Sequence, residues 1–77
     1  MLKQIEVQKD VVVTFNLDGV TFEQAMTDID DALLHYNTTG RQVYPTRWDD
    51  SWGQMVVAPA IKRNGKNYYT VTCLKVA

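Results

Sequence analysis

Residues 21–40 read TFEQAMTDIDDALLHYNTTG, a stretch whose periodicity fixes one element and organises the rest of the chain around it. Phe22, Ala25, Met26, Ile29, Ala32, Leu33 and Tyr36 recur at steps of three and four, which lines their apolar side chains along one side of a helix. Glu23, Asp28, Asp30 and Asp31 fall on the other side. Thr21 and Gln24 have the spacing of a capping box, in which hydroxyl and amide satisfy backbone N–H groups that lack helical partners. Asn37-Thr38-Thr39-Gly40 ends the run, with Gly40 suited to a left-handed exit.

On the N-terminal side, Ile5, Val7, Val11, Val13, Phe15 and Leu17 all occupy odd positions, the period-two pattern of a strand with one buried face. Lys9-Asp10 interrupts it, leaving one bent strand or two short ones. The expectation is a strand from about Val11 to Leu17 with a looser lead-in. On the C-terminal side, Arg41 to Tyr44 reads as a short strand cut by Pro45, followed by a tryptophan-rich loop, Thr46 to Gly53. Gln54–Ile61 and Lys66–Val76 then flank Asn64-Gly65, the strongest short-range hairpin signal.

A two-residue turn at Asn64-Gly65 predicts a register. Ala60, Ala58 and Val56 oppose Tyr69, Val71 and Cys73 on a helix-facing side, while Ile61, Val57 and Met55 oppose Tyr68, Thr72 and Leu74 on the other. Pro59 within that strand signals an edge or a bulge. Residues 1–77 therefore read as a single α+β domain. One amphipathic helix packs on a mainly antiparallel sheet of about four strands, in the order β-α-β-β-β.

With 45% hydrophobic and 22% charged residues, the chain has the composition of a folded domain. Seventy-seven residues build only a small core, and Cys73 is the lone cysteine, so no internal disulfide or cysteine-based zinc site supplements it. Packing or self-association must supply the stability. A single helix cannot cover both sheet faces, so the apolar side carrying Met55, Val57, Ile61 and Leu74 is expected either to be covered by the N-terminal segment folded over it or, as the favoured reading, to pair two copies into a homodimer. The first residues carry no signal-peptide h-region. The longest apolar stretch, 55–61, falls far below the roughly 20 residues of a membrane span. With the lone thiol, these features predict a cytoplasmic chain that does not engage a membrane.

Charge is unevenly distributed. Residues 1–40 carry two Lys against seven Asp and Glu, net −5, whereas residues 41–77 carry six Lys and Arg against two Asp, net +4. Such asymmetry orients partners rather than specifying a fold.

Residues suited to chemistry are few. His35 lies four positions after Asp31, a spacing that serves ordinary helix-surface pairing as well as metal binding; a metal would need a third ligand from Asp49 or Asp50. Ser51 and Cys73 lack any nucleophile motif, and the four glycines form no phosphate loop. No catalytic residue, metal or cofactor is expected. Tyr44, Arg47, Trp48, Asp49, Asp50 and Trp52 gather the residue types enriched at binding hot spots, so this segment is the first candidate for a protein partner. It could alternatively sequester a small ligand or nucleotide by stacking and anion pairing. Lys62, Arg63 and Lys66 beside Tyr68 form a basic, aromatic hairpin tip that could instead take nucleic acid, against which a sequence pI near 5.6 weighs. The leading expectation is a small non-catalytic interaction module of adaptor or inhibitor type. Accessory proteins of phages and mobile elements offer an analogy of type.

Overall fold

In a computed structural model that describes residues 2–76, the helix α1 spans Phe22–Thr39 and both of its ends form as the spacing requires. The Thr21 hydroxyl accepts from the Gln24 amide N–H at 3.1 Å, and Gln24 Oε1 accepts from the Thr21 N–H at 3.0 Å. Gly40 adopts φ 72° and its N–H donates to the Tyr36 carbonyl at 2.8 Å.

The described residues form six strands rather than four: β1 Leu2–Gln8, β2 Val11–Asp18, β3 Val43–Trp48, β4 Ser51–Val57, β5 Ile61–Arg63 and β6 Lys66–Lys75. They build one sheet in the order β1-β2-β6-β4-β3, with β5 also paired to β6. The chain order is thus β-β-α-β-β-β-β. The N-terminal lead-in is itself an edge strand. Lys9-Asp10 forms the turn of a β1–β2 hairpin, with Asp10 at φ 62°. The tryptophan-rich segment is no loop but the β3–β4 hairpin, turning at Asp49-Asp50 with Asp49 at φ 55°. The sheet is mixed, because β2 and β6 pair in parallel at its centre. With extents of 39 × 26 × 15 Å, the molecule has two layers, one helix on one sheet.

The Asn64-Gly65 turn forms with both residues at positive φ, and Ile61 opposes Tyr68. Beyond Ile61 the expected register fails. Val57 opposes Val71 and Met55 opposes Cys73, so three residues, Ala58-Pro59-Ala60, stand against two, Tyr69-Thr70. This bulge at Pro59 slips the pairing by one position, which exchanges the two faces of the strand. Met55 and Val57, expected on the self-association face, are instead buried with Val71 and Cys73 beneath the helix. Val13, Phe15, Leu17, Trp48 and Tyr69 complete the sheet side of that core. Ala25, Ile29, Ala32 and Leu33 supply the helix side, the two alanines letting the helix approach closely.

Candidate interaction surface

Strand alternation leaves the opposite face of the sheet without a helical cover. Across β1, β2, β6, β4 and β3 one row reads Leu2, Asn16, Thr72, Val56, Val43, and the next towards the β3–β4 turn reads Asp18, Leu74, Gln54, Pro45. Beyond it Arg47 opposes Trp52, and the Val76 N–H donates to the Trp52 carbonyl at 2.7 Å, extending the ladder by one pleat. In the other direction Gln4, Thr14 and Thr70 make a polar band, followed by Glu6, Val12, Tyr68 and Ile61.

Seven large hydrophobic side chains are exposed among the described residues, and six of them lie on this face: Leu2, Val43, Trp52, Ile61, Leu74 and Val76. Four of the six, Val43, Trp52, Leu74 and Val76, lie towards one corner, over β6, β4 and β3, with Pro45, half-buried Val56 and exposed Gln54 among them. The Arg47 guanidinium stands 5.2 Å from the centre of the Trp52 ring. The corner combines an aromatic anchor, a cation held against it and aliphatic neighbours, the make-up of an interaction hot spot. Charge flanks it on both sides, Asp18 from β2 and Arg47 from β3.

The adjoining edge of the sheet is blunted. The Val57 N–H donates to the Gln42 carbonyl, which makes residues 42 and 57 a hydrogen-bonded pair. By alternation, the backbone groups of Val43, Pro45 and Arg47 then point away from β4. Pro45 has no N–H to offer there, so a further strand cannot pair along the middle of β3.

The residues singled out in the sequence separate in space. Trp48 faces the core, 3% exposed, and its indole N–H donates to the Gln24 carbonyl at 3.1 Å, whereas Trp52 faces outward at 56%. Asp49 accepts from Gln24 Nε2 at 2.8 Å, so the turn it shares with Asp50 docks on the start of α1. Gln24 thereby serves both the helix cap and the hairpin; a glutamate could cap but could not donate to Asp49. Tyr44 lies on the helix side, its ring edge-on to His35 at 5.5 Å. Burial first, then the carboxylates of Asp31 and Asp28, raise its phenol above the usual range. Asp28 accepts a hydrogen bond from the buried Thr46 hydroxyl, and burial followed by the Asp31 charge raises its pKa. Asp49 sits at the opposite end of the helix from His35, so the proposed third metal ligand is not brought near. Among the described residues no group of three His, Cys, Asp or Glu side chains is arranged to hold a metal.

At the hairpin tip Lys62 and Arg63 are exposed, while Lys66 forms an ion pair with Glu6 at 2.9 Å, its pKa raised by that hydrogen bond and charge. Ile61 and Leu74, the other two residues expected at a self-association surface, do lie on the open face. No helix among the described residues is long and apolar enough to cross a membrane. Cys73 is fully buried, and burial pushes its thiol up to about 11. It should therefore resist alkylation in native buffer at pH 8 and react stoichiometrically in denaturant; rapid labelling of the native protein would contradict that burial.

No protein-family model, curated protein or solved structure matches this chain significantly.

Proposed function

We propose that this chain is a small non-catalytic interaction module, and that the open face of its sheet pairs with the same face of a second copy. The observation carrying this reading is the segregation of six of the seven exposed large hydrophobics onto one face, four of them towards one corner. Scattered surface hydrophobics are ordinary, whereas a contiguous patch is the mark of an interaction site.

A second copy is favoured as occupant by the way charge is arranged. The four strands β2-β6-β4-β3 are disposed evenly about the seam between β6 and β4. A two-fold axis parallel to the strands at that seam exchanges β2 with β3, and so brings Arg47 of one copy towards Asp18 of the other. The same operation lays Trp52 of one copy over Val76 of the other between these charges, with Leu74 beside them, as a self-complementary two-fold interface requires. A face with extents of 39 and 26 Å offers room for the roughly 800 Å² per partner of a standard interface. At the β3 edge, Pro45 favours stacking of faces over continuation of the sheet; the β1 edge carries no proline.

Sedimentation equilibrium tests the reading. The wild-type chain should have twice its monomer mass of 8.8 kDa, and Trp52→Glu with Leu74→Glu should return it to the monomer while far-UV circular dichroism stays native. A wild type that remains monomeric to millimolar concentration, or a double variant that dimerises as before, would remove the proposal. The basic tip remains the alternative site. It would be favoured by salt-sensitive oligonucleotide binding that Lys62→Ala and Arg63→Ala abolish.

A further inference from the structure

A cavity of about 140 Å³ opens on the other side of the molecule, between the β1–β2 turn, the C-terminal half of α1 and β6. From this we infer a second binding site, a receptor for a single arginine side chain presented by a protein partner. The site is distinct from the open sheet face and does not depend on dimerisation.

The cavity is assembled by an irregularity in β1. Between Glu6 and Gln8 the pairing with β2 shifts, so that Glu6 opposes Val12 but Gln8 opposes Val11. Opposed residues share a face, and Val11 faces the helix. The bulge therefore turns Gln8 from the open face, where its parity would put it, onto the helix side. Bulges re-aim side chains in this way beside functional sites. There Gln8 Nε2 donates to Asp30 Oδ1 at 2.9 Å. Across the opening the Tyr69 hydroxyl donates to Asn37 Oδ1 at 3.1 Å, fixing the second wall. Asp30 and Asn37 lie two turns apart on one side of α1, with Leu33 and exposed Leu34 between them, and Val11 closes the apolar floor.

The chemistry of the lining selects the guest. Among the described residues Asp30 is the only charged side chain lining the cavity, so an anion is repelled and a cation attracted. Asp30 Oδ2 and Gln8 Oε1 take no hydrogen bond from the described residues, and the Tyr69 oxygen keeps lone pairs for a further donor. Acceptors on several sides of one opening match a planar guanidinium with its five donors better than a compact ammonium. Val11, Leu33 and Leu34 give its methylene stem an apolar wall. The volume falls below the roughly 300 Å³ at which pockets enclose whole small molecules, so a side chain is the fitting guest. Glu23 and Asp31, exposed along the same helix, add a negative field that steers a basic segment towards it.

The test is a titration of the isotope-labelled chain with acetyl-Gly-Arg-Gly-amide, read by amide chemical shifts. Saturable shifts in the millimolar range centred on Gln8, Leu34, Asn37 and Tyr69 are expected. The lysine peptide should bind more weakly, and the citrulline peptide, equal in shape but uncharged, should give none. Asp30→Asn should weaken the arginine peptide about three- to fivefold, whereas Asp31→Asn, outside the cavity, should change it less than about twofold. Equal response to citrulline, indifference to Asp30→Asn, or shifts mapping away from the cavity would each overturn the inference. Because none of these residues lies on the open face, the result is independent of whether the wild type dimerises.

Discussion

Trp48→Ala should lower the melting temperature of this domain by more than about 12 °C, while Trp52→Ala leaves it nearly unchanged. Trp48 is buried at the end of the core, and its indole N–H is bonded to the Gln24 carbonyl in the first turn of α1. Truncating a buried tryptophan costs about 3–5 kcal/mol, from lost burial, an unfilled cavity and here a lost hydrogen bond. At about 0.05–0.15 kcal/mol per residue, the whole 77-residue chain holds roughly 4–12 kcal/mol of stability. At about 4–8 °C per kcal/mol for a domain of this size, the melting temperature should fall by more than about 12 °C. Trp52 buries little, and its chief intramolecular contact is the Arg47 guanidinium, worth about 0.5–1 kcal/mol at an exposed site. In the wild type, acrylamide should quench one indole readily and leave the other shielded; each single variant removes one of the two components. Similar melting of the two variants would show that the tryptophans are not divided between core and surface.

That division could not be read from the sequence, although both residues were visible as candidates. What was legible is what is local. The capping box, the apolar stripe and Gly40 each need only residues a few positions apart, and all three form. The same holds for Asn64-Gly65, where two residues able to take positive φ set the pairing as far as Ile61 and Tyr68. The hairpin at Asp49-Asp50 escaped, and the turn at Lys9-Asp10 stood only as one of two alternatives, because both turn on aspartates, which tolerate the left-handed region without advertising it as glycine does. Pro59 announced a bulge, but not that one inserted residue would carry Met55 and Val57 into the core. The parallel pairing of β2 with β6 joins residues 56 positions apart, from Val11 with Asn67 to Asp18 with Leu74, and no local pattern records it. Nor does any local pattern show that Trp52 and Leu74, noticed for separate reasons, share one corner. The arginine-sized cavity left a single trace, the break of parity at Lys9-Asp10 beside the bulge that redirects Gln8.

The sharpest demand of the fold on a single position falls at Gly53, where Gly53→Ala should be as damaging as removal of Trp48. Gly53, in β4, opposes Thr46 in β3 and Lys75 in β6, in the middle of the sheet, and its missing side chain would point to the helix side. The Trp48 indole lies across that vacancy. A Cβ there would stand 2.7 Å from Trp48 Cε3 and 2.6 Å from the Leu74 carbonyl oxygen, with Trp48 Cζ3 also in conflict. The ring could swing aside only by leaving the Gln24 carbonyl, and the Leu74 oxygen belongs to the sheet backbone, so neither neighbour can yield cheaply. Overpacking of this kind costs about 1–3 kcal/mol and more where the backbone must move, which places Gly53→Ala at or beyond the upper end. A double-mutant cycle separates the two conflicts. With Trp48 already reduced to alanine the ring clash vanishes and only the Leu74 contact remains, so Gly53→Ala should cost markedly less in that background. Equal costs in the two backgrounds would mean that the sheet backbone alone excludes the methyl group. A negligible cost in the wild type would mean that Trp48 does not lie against this glycine at all.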